Sequence, residues 1–158
     1  MAVSAVPAGY HTVTPYLIVR GAAKVLEFYQ KAFGAMGVHS MAMPDGKIMH
    51  AEMRIGDSVV MLADENPAWG ATGPQTLGGV TSSILLYVEN VDARFQQALD
   101  AGCTVKKPLQ NQFWGDRMGT VSDPFGHVWS IASHVEDVAP DEMQRRAAEM
   151  IKQMAHQK

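Results

Sequence analysis

The chain has a single cysteine, Cys103, in 158 residues. An internal disulfide is therefore impossible, and so is a zinc site built from thiolates. Cys103 follows Ala-Gly and precedes an apolar strand, which marks it as a small packed hydrophobe rather than a nucleophile. An excess of one charge is also missing. The formal net charge is −3, so there is no electrostatic reason to expect nucleic acid or an anionic membrane as partner. No apolar run approaches the roughly 18 residues that a membrane-spanning helix needs. The opening MAVSAVPAGYH lacks the basic start and apolar centre of a secretory signal, so the expected location is the cytoplasm. Familiar catalytic signatures are absent as well: no G-x-S-x-G elbow, no P-loop, no G-x-G-x-x-G and no H-E-x-x-H. Nucleophilic hydrolysis and nucleotide chemistry are left without visible machinery.

What remains is the composition of an ordinary globular chain, 47% apolar and 18% charged. Its length suits one domain, or two half-size modules sharing a core. Read along the chain, VTPYLIV (Val13 to Val19) is a strand. AAKVLEFYQKAFG follows, with Ala22, Leu26, Tyr29 and Phe33 at helical spacing and Gly34 as the stop. Three alternating stretches come next, VHSMAM, KIMHAEMRI and SVVMLAD, separated by Pro44-Asp45-Gly46 and Gly56-Asp57 turns. Residues 65–80 read as a Gly/Pro-rich linker without periodicity. Then the order restarts. SSILLYV is a strand, and VDARFQQALDAG is a helix with Val91, Phe95 and Leu99 on one face. CTVKKPL, DRMGTVS and HVWSIAS are three more strands. The chain reads as an α+β fold, one βαβββ module over 10–64 and a second over 81–135, the product of an internal duplication. A last amphipathic helix over 140–156 carries Met143, Ala147, Met150, Ile151 and Met154 on one stripe, to cover the domain or a partner subunit.

The twice-written βαβββ order, with AFG or DAG closing each helix, resembles the glyoxalase / bleomycin resistance / dioxygenase superfamily, the vicinal oxygen chelate proteins. The words TPYLIV, FYQKAFGA, HAEMRIGDSVVML, FWGDRMGTVSDPFGHVW and VEDVAPDEM are similar to its PhnB-like branch. The resemblance implies curved sheets forming a cup. In the metal enzymes it also implies four ligands, one from the first and one from the last strand of each module. Those positions fall on Thr14, Met61, Ser83 and Ser130, and the second pair stands at the same offset as the first. Hydroxyls and a thioether are poor donors for a divalent transition metal, which takes imidazole or carboxylate. No cofactor is expected.

Strand alternation then sorts the polar residues. With Gly56-Asp57 as a two-residue turn, Glu52 opposes Met61, so His50, Glu52 and Arg54 share the cup face. Ala51, Met53, Ile55, Val60 and Leu62 pack under the helix. Treating the second module alike sets Ser130 opposite Gly119 and brings Arg117 to the cup, with Tyr16 and Tyr87 also facing inward. Each has a plainer reading. His50 and Glu52 are equally an edge pair in solvent, Arg117 a structural salt bridge, and Trp114 either cup wall or core. His127 reads as a turn or rim residue, and Asp123-Pro124 as turn chemistry. Two expectations follow. One is a small neutral or anionic ligand held in a metal-free cup, for sequestration or sensing. The other is a glyoxalase-type lyase or isomerase using His50 and Glu52 as acid/base pair or as relocated metal ligands. Open strand edges, and the resemblance itself, point to a homodimer.

Overall fold

The computed structural model describes residues 3–155. The first module runs β1 (Tyr16–Val19), α1 (Ala22–Phe33), β2 (Met36–Ala42), β3 (Ile48–Ile55) and β4 (Ser58–Asp64). The second runs β5 (Ile84–Tyr87), α3 (Val91–Ala101), β6 (Thr104–Asn111), β7 (Asp116–Ser122) and β8 (Val128–His134). Between them the linker is more ordered than its composition suggests: a 3-10 turn at Pro67–Trp69 and a single helical turn, α2, at Pro74–Leu77. Each starts on a proline, whose fixed φ suits a first helical position. The C-terminal helix, α4, spans Pro140–Ala155, and the expected end at His156 lies outside the described residues.

Two four-stranded sheets result, ordered β1-β4-β3-β2 and β5-β8-β7-β6. In each, the first strand lies parallel to the last and the remaining pairs are antiparallel. The duplication reaches into the details. Asp64 at the end of β4 accepts hydrogen bonds from the N–H groups of Gly21 and Ala22, at 2.8 and 2.9 Å, capping α1 from a strand. Ser133, at the matching place in β8, accepts from Val91 N–H at 3.1 Å and so caps α3. Different residues meet the same need, because the first N–H groups of a helix have no partner within it.

One face of the first sheet, with Leu17, Val19, Ala51, Met53, Val60 and Leu62, is buried against Ala22, Val25, Leu26 and Tyr29 of α1. The two modules share this core. Helices α1 and α3 pack together. The fully buried Trp129 of β8 meets Tyr29 and Phe33 of α1, with ring centroids 5.1 and 4.3 Å apart. Beside them Asp123, 4% exposed, accepts from Tyr29 Oη at 2.6 Å and Trp129 Nε1 at 3.0 Å. Its other carboxylate oxygen accepts the backbone N–H groups of Phe125 and His127, both at 2.9 Å. The turn residue of the β7–β8 connection is thus also the polar anchor between modules. His127 adds a second tie, donating from Nε2 to Ile18 carbonyl oxygen at 3.1 Å, on the free edge of β1.

The second sheet corrects one expectation. Ser130 opposes Thr120, Gly119 opposes Ile131, and Arg117 opposes Ser133. The connection from Ser122 to Val128 holds an odd number of residues, so the register sits one residue from the symmetric pairing. A one-residue slip exchanges the faces. Gly119 therefore lies under α3, where an added Cβ would stand 2.5 Å from the Phe95 ring. Arg117 lies on that same face and pairs with Asp92 of α3 at 2.7 Å.

The strands at the far ends, β2 and β6, are exposed along nearly their whole length. β2 carries no Lys, Arg, Asp or Glu, whereas β6 contains Lys106, Lys107 and Pro108. Helix α4 buries none of its residues. It is fastened by Arg146, which donates to Glu136 at 2.7 Å and to Phe113 carbonyl oxygen at 3.4 Å. Ile151 and Met154 of its apolar stripe stay exposed. No helix among the described residues is long and apolar enough to cross a membrane.

Candidate functional site

The face of the first sheet turned away from α1 carries the polar groups. From His50 onward β3 alternates, so His50, Glu52 and Arg54 emerge opposite Ala51, Met53 and Ile55, and the pairing of Glu52 with Met61 fixes them on the Met61 side. Tyr16 stands beside Met61 on the neighbouring parallel strand. The side chains connect. Tyr16 Oη lies 3.0 Å from His50 Nδ1, and His50 Nε2 lies 3.0 Å from Glu52 Oε1. The second carboxylate oxygen accepts the hydroxyl of Tyr10. Tyr10, and after it His50, donate to Glu52 and hold its carboxyl below the usual range, while the same bond raises the Tyr10 phenol.

Tyr10 has no strand or helix to announce it. It comes from the segment preceding β1, which folds back over this face: Arg54 donates to Gly9 carbonyl oxygen at 3.0 Å, and His11 reaches Asp57 carbonyl oxygen at 3.3 Å. The sequence signal available was the clustering of Gly9, Tyr10 and His11 just before an apolar strand, which specifies no partner.

A second cluster sits on the opposite module. Tyr87, 62% exposed, donates to Asp116 Oδ2 at 2.8 Å, and Trp114 Nε1 donates to the same oxygen at 3.0 Å. His134 bridges Asp116 Oδ1 at 2.8 Å and Asp137 at 2.9 Å. Burial alone would raise the Asp116 carboxyl, but bonds from His134, Tyr87 and Trp114 outweigh it and hold the group below its ordinary value. The Asp116 bond, and then the Asp137 bond, raise His134. Of the expected site residues, then, Tyr16, His50 and Glu52 form one hydrogen-bonded group and Tyr87 and Trp114 another. Arg54 shares the first face, tied to backbone carbonyls. Arg117 is on the covered side of its sheet.

Two cavities open between the modules. One of about 610 Å³ brings Tyr16 and Ile18 together with Ser83, Ile84 and His127. The other, of about 990 Å³, sets Leu85 and Tyr87 against Ile55 and Val60. Both fall within the volume range of small-molecule sites.

The family model described as the Glyoxalase/Bleomycin resistance protein/Dioxygenase superfamily matches residues 10–131. The chain belongs to this superfamily. An uncharacterised protein of Mycobacterium bovis, Mb0911c, is 45% identical over 147 residues, covering 91% of this chain and 94% of that protein. Among solved structures, TioX from Micromonospora sp. ML1 has 25% identity and a TM-score of 0.63, over 79% of this chain and 99% of TioX. The fosfomycin resistance protein FosX from Listeria monocytogenes shares the fold at 17% identity, with a TM-score of 0.61 over 84% of this chain and 97% of FosX.

At the positions where the superfamily resemblance puts metal ligands, this member has Thr14, Met61, Ser83 and Ser130, and their neighbourhoods are consistent. Tyr16 and Leu85, each two residues past the first-strand position, are the Cα partners of Met61 and Ser130. Thr14 Oγ1 is occupied with the His11 carbonyl at 3.4 Å, and Ser130 Oγ with Thr120 Oγ1 at 3.0 Å. This donor set does not fit a transition metal. His50 and Glu52 bond to each other, and among the described residues no three His, Cys, Asp or Glu side chains converge to hold an ion.

Proposed function

We propose that this superfamily member binds a small neutral or anionic molecule on the open faces of its sheets, without a metal at the superfamily position, to sequester or sense it. The observation that carries the reading is what those faces present. Tyr16, Leu85 and Tyr87 are 48%, 46% and 62% exposed on faces that no helix covers, beside neutral residues at all four ligand positions. Tyr16 lines one of the two cavities, and Leu85 and Tyr87 line the other. Arg54 brings a fixed positive charge there, and the carboxylate of Glu52 is already engaged. A cationic ligand therefore finds little to pair with. A second copy of the chain closes the open faces and the unpaired strand edges symmetrically, so the working form is a homodimer in this proposal. The PhnB-like wording of the sequence, a cytoplasmic location, and the lack of nucleic-acid or membrane partners belong to the same reading.

Elemental analysis and calorimetric titration test it together. Dialysed protein is expected to hold no stoichiometric zinc, nickel or iron, and to bind phenylphosphonate or benzoate saturably. Light scattering is expected to give twice the 17.2 kDa chain mass. One metal per chain surviving dialysis, or tight bleomycin binding with no response to aromatic acids, overturns the proposal. A second reading, a lyase or isomerase using His50 and Glu52, is favoured by their contact with each other and with Tyr16.

A further inference from the structure

We propose that the segment before β1, residues 3–14, is a strap that closes the open face of the first sheet and lifts when that face takes its ligand. This rests on the reading that a small molecule binds there. The segment is built to reach the sheet. Tyr10 N–H donates to Pro7 carbonyl oxygen at 3.1 Å, closing a turn in which Gly9 has φ 82°. A positive φ at that place in a turn suits glycine. Glycine is also required by space, because the Arg54 guanidinium lies where a Cβ would stand. The turn sets two consecutive groups against the sheet. Gly9 offers its carbonyl oxygen to Arg54, and Tyr10 gives its hydroxyl to Glu52.

With the strap down, the charged groups of β3 are spoken for. One oxygen of Glu52 accepts from Tyr10 and the other meets His50, while Arg54 is turned to the carbonyls of Gly9 and Asp57. An anionic ligand has to take Arg54 from a neutral carbonyl. That exchange favours the anion, whose bond to a guanidinium is of the stronger, charge-assisted kind. Because Gly9 and Tyr10 are consecutive, an anion that displaces the first loosens the second. The far end of the segment borders the ligand space as well, with Val13 lining the larger cavity beside Tyr87. The second sheet shows that no such segment is needed to satisfy a carboxylate in this fold. Asp116 takes its donors from β5, β8 and the turn before β7, through Tyr87, His134 and Trp114.

Nothing apolar holds the strap down. None of residues 3–15 is buried, and Val3, Val6 and Val13 are exposed. A segment held by water-exposed polar bonds, without apolar burial, belongs to the low end of local stability. Firm attachment begins at Pro15, whose carbonyl oxygen accepts Met61 N–H at 2.9 Å as the pairing of β1 with β4 starts. The bend that lifts the strap therefore falls between His11 and Pro15. Closure acts on affinity through populations: the apparent dissociation constant is the intrinsic one divided by the open fraction. In the bound state the strap is away whatever its sequence. A substitution in the strap that leaves the sheet intact thus changes the open fraction alone.

The test is calorimetric titration of phenylphosphonate into the full-length wild type, Tyr10→Phe and Gly9→Val, with chymotrypsin cleavage after position 10 reporting the lifted state. Tyr10→Phe keeps the cleavage site and removes the bond to Glu52. It should tighten binding roughly two- to tenfold, the range that one net hydrogen bond allows. Gly9→Val opposes both the backbone conformation and the approach of Arg54, and should tighten binding further. Without ligand both variants should be cut faster than wild type, since such cleavage follows the open population. Linkage is reciprocal, so phenylphosphonate should also speed the cleavage of the wild type. Saturable binding with wild-type affinity in both variants, or cleavage slowed by phenylphosphonate, overturns the strap and leaves the binding reading standing. No saturable binding by any of the three proteins overturns both for this ligand. Tyr10→Phe removes one hydroxyl from a segment with no buried residue, so it keeps the test decisive even where Gly9→Val fails to fold.

Discussion

Asp123→Ala is expected to destabilise the fold far more than the loss of a turn residue would. In the native chain Asp123 takes protons from two side chains that are both fully buried, Tyr29 and Trp129, and from two backbone N–H groups of its own connection. Alanine leaves all four without that acceptor. A buried donor stranded in this way costs about 1–3 kcal/mol. The two half-exposed backbone groups recover part of theirs from water, so the sum is roughly 3–5 kcal/mol. That is a large share of the roughly 5–15 kcal/mol that holds a domain together. For a chain of this size it lowers Tm by on the order of 10 °C. Urea unfolding followed by tryptophan fluorescence measures it, and an unchanged m-value shows that the same surface is exposed. The sharper test is Tyr29→Phe in two backgrounds. In the wild type it removes a hydrogen bond and costs about 1 kcal/mol. In Asp123→Ala it removes a stranded hydroxyl, and its effect should fall to zero or become stabilising. An equal cost in both backgrounds, or an Asp123→Ala cost below about 1 kcal/mol, would show that the anchor does not work as described.

Arg117→Ala should lower Tm slightly and leave the affinity for any ligand of the open faces unchanged, because its guanidinium pairs with Asp92 on the covered side; calorimetry on wild type and variant decides this. His134 has a raised value in the folded chain, so its stabilising effect is complete below the unfolded value of about 6.5 and is lost as the pH rises through the folded one. His134→Asn should therefore flatten the melting-temperature profile on the alkaline side of that unfolded value, the effect being modest because the ring is half-exposed. Burial, and after it the charge of Asp123, push the Cys103 thiol up to about 12. Ellman's reagent at pH 8 should react with it only as the protein unfolds.

The architecture was legible because its signals are periodic and repeated. Alternation in IMHAEMRI alone places His50, Glu52 and Arg54 on one face, and the two-residue Gly-Asp turn fixes their partners on β4. The second sheet was harder for a definite reason. Its connection, DPFGH, pairs Ser122 with Val128, and no residue in it declares whether the loop is odd or even. That single ambiguity moved Arg117 to the wrong side. The anchoring role of Asp123 was hidden because its partner Tyr29 lies 94 residues away, and a sequence shows local turn chemistry without showing what a carboxylate's spare oxygen meets. Tyr10 escaped for the same reason. A residue in an irregular segment has no period, so nothing in the chain tells which sheet it folds back to touch.

The two terminal strands, finally, bear on how the protein behaves when concentrated or warmed. An exposed strand edge is a template for another backbone, and Lys and Pro discourage that docking. β6 has both, in Lys106, Lys107 and Pro108. β2 has neither, and its protection is shape: Gly37 at φ 62° and interruptions of register after Met36 and Met41. A left-handed residue is a position that glycine alone fills cheaply. Replacing Gly37 with a β-branched residue thus acts twice, straining the strand and favouring a flatter one that stacks edge to edge. Light scattering of a concentrated solution is expected to show faster aggregation for Gly37→Val than for the wild type.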